Sequence, residues 1–431
     1  MKHSEPRYTH VHYAWNDAHV SQLSPLESLV YRSNRLGEDR RIANTSDGST
    51  SLKVMEKDPG SGQSVEVIWI KNTGADLCAS TDAHFSPLYQ EKLVALGDRH
   101  HNATATPNTP LAERIKTAAF RRTMSSPSTD TPLHALMPYA HVSHLHPSSA
   151  IAVGACRNSR SLTEKIWGKD MLWIPRKRPG VEQGIKLQEA WSQQPSAKGA
   201  LLVGNGVATW SDDNKSCYQQ VLDITEAASH YIAERDLGER TFGGPLYQVA
   251  DAANRAERFA KMLPALTELV SDRGTLAAHL THDSPVMRFI HSVDAPRLAS
   301  KGVASAHHLS RVKLKPLYIP WDPNGEPLEI LEQRMEQEVE RYRQRYRTYY
   351  ETQRAEFSKG EPVPLDSTAP AICLIPGVGM IAWGRNEREA RIASESYKSA
   401  IEVMRCAEAI DTYVGLPEAE AFAIQYGSDS S

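Results

Sequence analysis

Residues 141–150 read HVSHLHPSSA and place three histidines within six positions. Side chains of an extended segment alternate between faces, so His144 and His146 point one way and His141 the other. Two imidazoles on one strand face, one residue apart, are spaced to share a metal ion. They are equally the polar partners expected in a half-buried sheet. Pro147 has no backbone donor and predicts the end of the strand.

Outward from this strand the chain reads as mixed α/β. Short apolar runs such as MLWIP, GALLVG and GVATW alternate with helical stretches over residues 130–235. Upstream, Ser24 predicts an N-cap, with Pro25 in the first turn and Glu27 completing a capping box, so a helix starts there. Two β-rich runs joined by Pro-Gly-Ser-Gly in STSLKVMEKDPGSGQSVEVIWIKNTGADL predict a hairpin. Thr109-Pro110 predicts a further helix start. Downstream, EPLEILEQRMEQEVERYRQRYRTYYETQRAEF interleaves acidic with basic residues at helical spacing, which predicts a long, mostly solvated helix and not a nucleic-acid arm. The glycines of APAICLIPGVGMIAWG do not make GxGxxG, so Gly377, Gly379 and Gly384 are expected in turns after a buried strand. REARIASESYKSAIEVMRCAEAI predicts a closing helix.

The bulk properties narrow the function classes. A chain of 431 residues with 40% hydrophobic content builds a sizeable core, and a formal net charge of -3 gives no electrostatic reason to expect nucleic acid or an anionic membrane. Five scattered cysteines without a CxxC pair predict neither a disulfide framework nor a zinc knuckle. The N-terminus has no apolar core of a signal peptide, and no window approaches a membrane span, so a cytoplasmic protein is expected.

Several segments carry a resemblance in order: LVYRSNRLGEDR, VEVIWIKNTGADL, SSPSTDTPLHALMPYAHVSHLHP, GNGVATWSDD, KPLYIPWDP, IPGVGMIAWGRNEREARIASESY and YVGLPEAEAFAIQY. Together they resemble the class II aldolase/adducin family, and most closely the aldolase part of bifunctional rhamnulose-1-phosphate aldolase/alcohol dehydrogenases. The resemblance covers nearly the whole chain and implies a freestanding aldolase part. It implies a three-layer α/β/α fold with a helical C-terminal extension, divided into a metal-binding core over 20–240 and the extension over 241–431. It further implies a homo-oligomer, usually a tetramer, and cleavage of a ketose 1-phosphate to dihydroxyacetone phosphate and an aldehyde.

The same resemblance implies roles for particular residues. The metal-binding pair falls on His144 and His146, the third ligand on Asn205, and the acid/base carboxylate on Asp130. The substrate phosphate falls to Gly48, Ser49, Thr73, Gly74, Ser128 and Thr129. A metal bound by two ketose oxygens stabilises the enediolate left by carbon–carbon cleavage, while a carboxylate moves protons.

Three positions depart from the family pattern. Its third histidine is Asn205, whose amide oxygen suits magnesium or manganese better than zinc. Its glutamate is Asp130, shorter by about 1.5 Å. Its phosphate loop reads SDGSTS, so that Asp47 brings a negative charge toward the phosphate. The bland alternatives are an Asp130 that caps a helix, a core His134, an Asn205 that forms a turn, and Ser128, Thr129, Thr73 and Gly74 as turn formers. His307 and His308 are a core or surface pair, or else supply a replacement ligand. Two functions follow, a divalent-metal aldolase (zinc, with magnesium or manganese as the alternatives) acting on a sugar phosphate, or a catalytically silent aldolase-like binding module.

Overall fold

The structure, a computed structural model, describes residues 8–43, 48–102, 110–121, 126–247, 252–272, 274–357, 363–365 and 367–427. They form two compact units. One runs up to Gly154 and resumes over Asn158–Glu234; the other takes Ala155–Arg157 and Arg235–Gly427.

The first unit is built on a seven-stranded sheet. Its strands are β1 (Ser49–Lys57), β2 (Ser64–Lys71), β3 (Phe85–Tyr89), β4 (His141–Leu145), β5 (Met171–Ile174), β6 (Gly199–Leu202) and β7 (Val207–Ser211), in the order β3-β2-β1-β4-β7-β6-β5. β1 and β2 form the expected hairpin, and Asp58 Oδ1 accepts from the N–H groups of Gly60 and Ser61 in its turn. The histidine strand β4 is the central one. It pairs with β1 on one side and β7 on the other, so that His144 lies opposite both Ser49 and Ala208.

Both faces of the sheet are covered. On one face Val142, Ala208 and Leu202 pack with Leu133 and Leu187, carried on helices α2 (Thr131–Leu136) and α3 (Val181–Gln193). On the other Leu145 packs with Leu36, Val221 and Leu222, from helices α1 (Pro25–Glu38) and α4 (Asn214–Ala233). The three-layer α/β/α arrangement thus follows from period-two burial on the strands. The predicted capping box is present: Ser24 Oγ accepts from Glu27 N, and Glu27 Oε2 accepts from Ser24 N at 2.8 Å. The helix expected from Thr109-Pro110 spans Leu111–Lys116, with Pro110 at its N-cap and Thr109 outside the described residues.

The second unit is rich in helix, as expected, and also holds a four-stranded sheet, β8 (Ala277–Thr281), β9 (Leu317–Tyr318), β10 (Ile372–Ile375) and β11 (Gly379–Gly384), in the order β8-β11-β10-β9. β10 and β11 form a hairpin whose turn glycine, Gly377, has φ +72°. The long charged helix is α5 (Leu328–Glu356), and it is solvated on one side only, because Leu331, Met335, Tyr342, Tyr346 and Tyr350 are buried. Helix α6 (Glu387–Ile410) carries the predicted periodicity but does not close the chain, because Glu418–Tyr426 forms a further helix. All five cysteines are free. Among the described residues no helix is long and apolar enough to cross a membrane.

Candidate catalytic site around Asp130 and His144

Strand β1 positions the site by alternation. Ser49, Ser51 and Lys53 share one strand face, and each reaches the segment of α2. Ser49 Oγ lies 2.8 Å from His134 Nε2, and Ser51 Oγ lies 2.8 Å from His134 Nδ1. Lys53 Nζ donates to the carbonyls of Ala135 and Met137, which supply acceptors at the C-terminal end of the helix. Gln90 Nε2 donates to Ala135 O at 2.7 Å. His134 is fully buried, which fits its reading as a core histidine.

This fixes Asp130, the residue before α2. It occupies the N-cap position, but its side chain makes no capping bond. Its Oδ2 instead lies 3.1 Å from His144 Nδ1, and Ser49 Oγ and Ser128 Oγ each donate to it at 3.4 Å. Oδ1 takes no hydrogen bond from the described residues, and the side chain is 18% exposed. Burial opposes ionisation here, yet the adjacent His144, then His146 and His134, outweigh it and hold the carboxyl well below the usual range. Asp130 is therefore an ionised carboxylate with one oxygen held and one open.

His144 is fully buried, and its Nε2 lies 2.6 Å from the carbonyl oxygen of Asn205. His146, just beyond the strand, packs its ring 4.8 Å from that of His144 at 64°. Asn205 sits in the β6–β7 turn between Gly204 and Gly206, at φ +79° and +82°. A Cβ on Gly206 would stand 2.2 Å from Leu145 O, so only glycine lets the turn come this close to β4. The Asn205 side chain donates from Nδ2 to Gln183 Oε1 at 2.6 Å.

These contacts decide the fit to a metal. Both ring nitrogens of His144 face oxygen atoms, Asp130 Oδ2 at 3.1 Å and Asn205 O at 2.6 Å. Among the described residues no group of three or more His, Cys, Asp or Glu side chains is disposed to hold a metal ion. In this arrangement the donor set does not fit a divalent ion.

The remaining expected residues are arranged as follows. Gly48, at φ +70°, leaves a Cβ no room beside Leu145 and the carbonyl of His144. Thr73 docks on the segment leading into Ser128, through its N–H to Ser126 O and its Oγ1 to Pro127 O. Gly74, at φ +79°, borders open space. Thr129 is exposed, and Asp47 lies outside the described residues. Ser49, Ser128, Asp130, His144, His146 and Asn205 thus form one contiguous cluster. His308 is held between Ser305 and Ser399 within the second unit, as a core histidine.

Two participants escaped the sequence. Gln183 gives no signal beyond a helical position. Arg32, fully buried, donates to Asn214 Oδ1, Ser51 O and Val142 O, linking β1 and β4 from the opposite face. An arginine in an amphipathic helix is expected in solvent, so only tertiary packing reveals it.

Residues 27–232 match the class II aldolase and adducin N-terminal domain, and residues 257–428 match the second domain of class II aldolase. The chain carries class II aldolase/adducin family domains. The chain is 31% identical over 417 residues to an uncharacterized oxidoreductase, YuxG, of Bacillus subtilis; the match covers 96% of this chain and 59% of that relative's length. Among solved structures it is similar to the N-terminal class II aldolase domain of a conserved protein from Thermoplasma acidophilum (23% identity, TM-score 0.45, 52% of this chain and 97% of that one). It is also similar to L-fuculose-1-phosphate aldolase from Thermus thermophilus (14% identity, TM-score 0.32, 48% and 95%).

Proposed function

We propose that the chain is an aldolase-type carbon–carbon lyase that cleaves a ketose 1-phosphate, of the rhamnulose 1-phosphate kind, to dihydroxyacetone phosphate and an aldehyde. The observation that supports this reading is the state of Asp130, ionised, excused from helix capping, and gripped at Oδ2 with Oδ1 open. Cleavage takes the proton from the C4 hydroxyl, breaks the C3–C4 bond, leaves its electron pair on the three-carbon fragment as an enediolate, and returns a proton to C3. Asp130 Oδ1 is the base that takes the first proton and the acid that delivers the second. The imidazoles of His144 and His146 border the same carboxylate and give the developing negative charge a polar surrounding. Gly48, Gly74 and Thr129 are the proposed phosphate contacts, whereas the hydroxyls of Ser49 and Ser128, expected in that role, donate to Asp130, and that of Thr73 donates to Pro127 O.

The class II family generally depends on a divalent metal. Because the present contacts of His144 do not fit one, no step is assigned to an ion, and any affinity for zinc, magnesium or manganese is expected to be weak. A homo-oligomer belongs to the same proposal. The second reading, a catalytically silent aldolase-like binding module, is favoured by one observation, the closure of His144 onto the Asn205 carbonyl where the family has a third imidazole. Incubating the purified chain with rhamnulose 1-phosphate and fuculose 1-phosphate, with and without added divalent metal, separates the two. Release of dihydroxyacetone phosphate supports the lyase, and no release under any condition supports the silent module.

A further inference from the structure

We propose that Ser51, His134 and Ser49 form a directed hydrogen-bond chain that ends on Asp130 and selects which carboxylate oxygen is left to work, making His134 a positioning residue. The direction of the chain follows from its end. A carboxylate only accepts, so the single hydrogen of the Ser49 hydroxyl points to Asp130 Oδ2. Ser49 Oγ must then accept from His134 Nε2 at 2.8 Å, which places the ring proton on Nε2. Nδ1 is left with a lone pair and accepts the hydroxyl hydrogen of Ser51, also at 2.8 Å. Every member is satisfied, and one tautomer is compatible with all four groups.

The surroundings support a neutral relay. His134 is fully buried, and burial, followed by the effect of His144, pushes its pKa down to about 3, so the ring carries no charge at neutral pH. The last link, 3.4 Å from Ser49 Oγ to Oδ2, is long for a hydroxyl–carboxylate bond, and such contacts tighten when substrate closes a site. With Ser49, Ser128 and His144 all directed at Oδ2, Oδ1 is the oxygen that exchanges a proton with substrate. Ser49, expected as a phosphate contact, then has its hydroxyl hydrogen engaged by Asp130.

The part of this inference that concerns chemistry rests on the lyase proposal; the tautomer does not. The test uses the full chain labelled with nitrogen-15 in histidine, and proton–nitrogen correlation spectra that report which ring nitrogen is protonated. His134 in the unmodified protein should show the Nε2–H tautomer alone at neutral pH, and Ser49→Ala should lose that single tautomer. An Nδ1–H or charged ring in the unmodified protein, or a tautomer indifferent to Ser49→Ala, overturns the proposal. For function, His134→Gln keeps a donor where Nε2 stands and should keep kcat near the starting value. His134→Leu should lower kcat by roughly a hundredfold with KM unchanged. Equal loss in both variants overturns the positioning role. If the unmodified chain cleaves neither sugar phosphate, the lyase proposal falls and the tautomer measurement still decides the relay.

Discussion

The Nε2 atom of His144 lies 2.6 Å from the backbone oxygen of Asn205, so Asn205 enters the site through its main chain. That contact occupies the one ring nitrogen of His144 that does not face Asp130. A side-chain change at 205 leaves the carbonyl in place and replaces the bond to Gln183.

Asn205→His should therefore leave zinc affinity nearly unchanged, since the main-chain oxygen that holds His144 Nε2 is still in place. Calorimetric titration of zinc into both proteins checks this. A gain of roughly tenfold or more would show that the new imidazole displaces that contact and completes a three-nitrogen site.

Gly206→Ala should lower stability by at least about 2 kcal/mol, because the new Cβ would stand 2.2 Å from Leu145 O at a φ of +82°. Urea unfolding reads this directly. An unchanged midpoint would mean that the turn can move off β4, and that the His144–Asn205 contact is not fixed by the backbone.

Much of this architecture was legible from residue 24 onward. The capping box at Ser24 and Glu27, the hairpin over 49–71 and the turn at Gly377 are local signals that appear where their chemistry placed them, whereas Gly379 and Gly384, also expected in turns, begin and end β11 because backbone pairing with β10 and β8 extends them. Asp130 was ambiguous for a physical reason, since an aspartate before TPLHALM is a natural N-cap, and only the packing of Ser49 and His144 diverts its carboxylate. Ser49 and Ser51 share a strand face by alternation, but nothing local says that His134, over eighty residues on, lies between them. The buried Arg32 and the tyrosine-lined side of α5 likewise depend on partners distant in sequence.

Stability should fall with acid in a way that depends on His134. Burial, then His144, sets its folded pKa at about 3, whereas an unfolded histidine titrates near about 6.5. Below that value the unfolded chain binds a proton that the folded chain does not. Stability is thus full above about pH 6.5 and declines as pH falls toward about 3. His141, also lowered to about 3 first by burial, acts with the same sign. His134→Gln should make the slope shallower by up to about 1.4 kcal/mol per pH unit in that window. Urea midpoints at several acidic pH values provide the check, and an unaltered slope would show that His134 is not held neutral.

Ser24→Ala should cost about 1 kcal/mol by removing one half of the capping box of α1. Ser24→Gly should cost only a few tenths, because glycine is tolerated at this position. Equal losses for the two variants, measured by chemical denaturation, would contradict the assignment of the effect to the cap.

The role of Asp130 is tested most directly by the half-reaction that needs no aldehyde. Dihydroxyacetone phosphate incubated with the protein in deuterium oxide should exchange one of its two C3 hydrogens, followed by proton magnetic resonance. Asp130→Asn, which keeps the shape and removes the base, should slow that exchange by roughly a hundredfold or more. Stereospecific exchange by the unmodified protein and its loss in the variant is the result expected if Asp130 Oδ1 moves the proton. No exchange above background in the unmodified protein, or exchange undiminished in Asp130→Asn, would contradict the account.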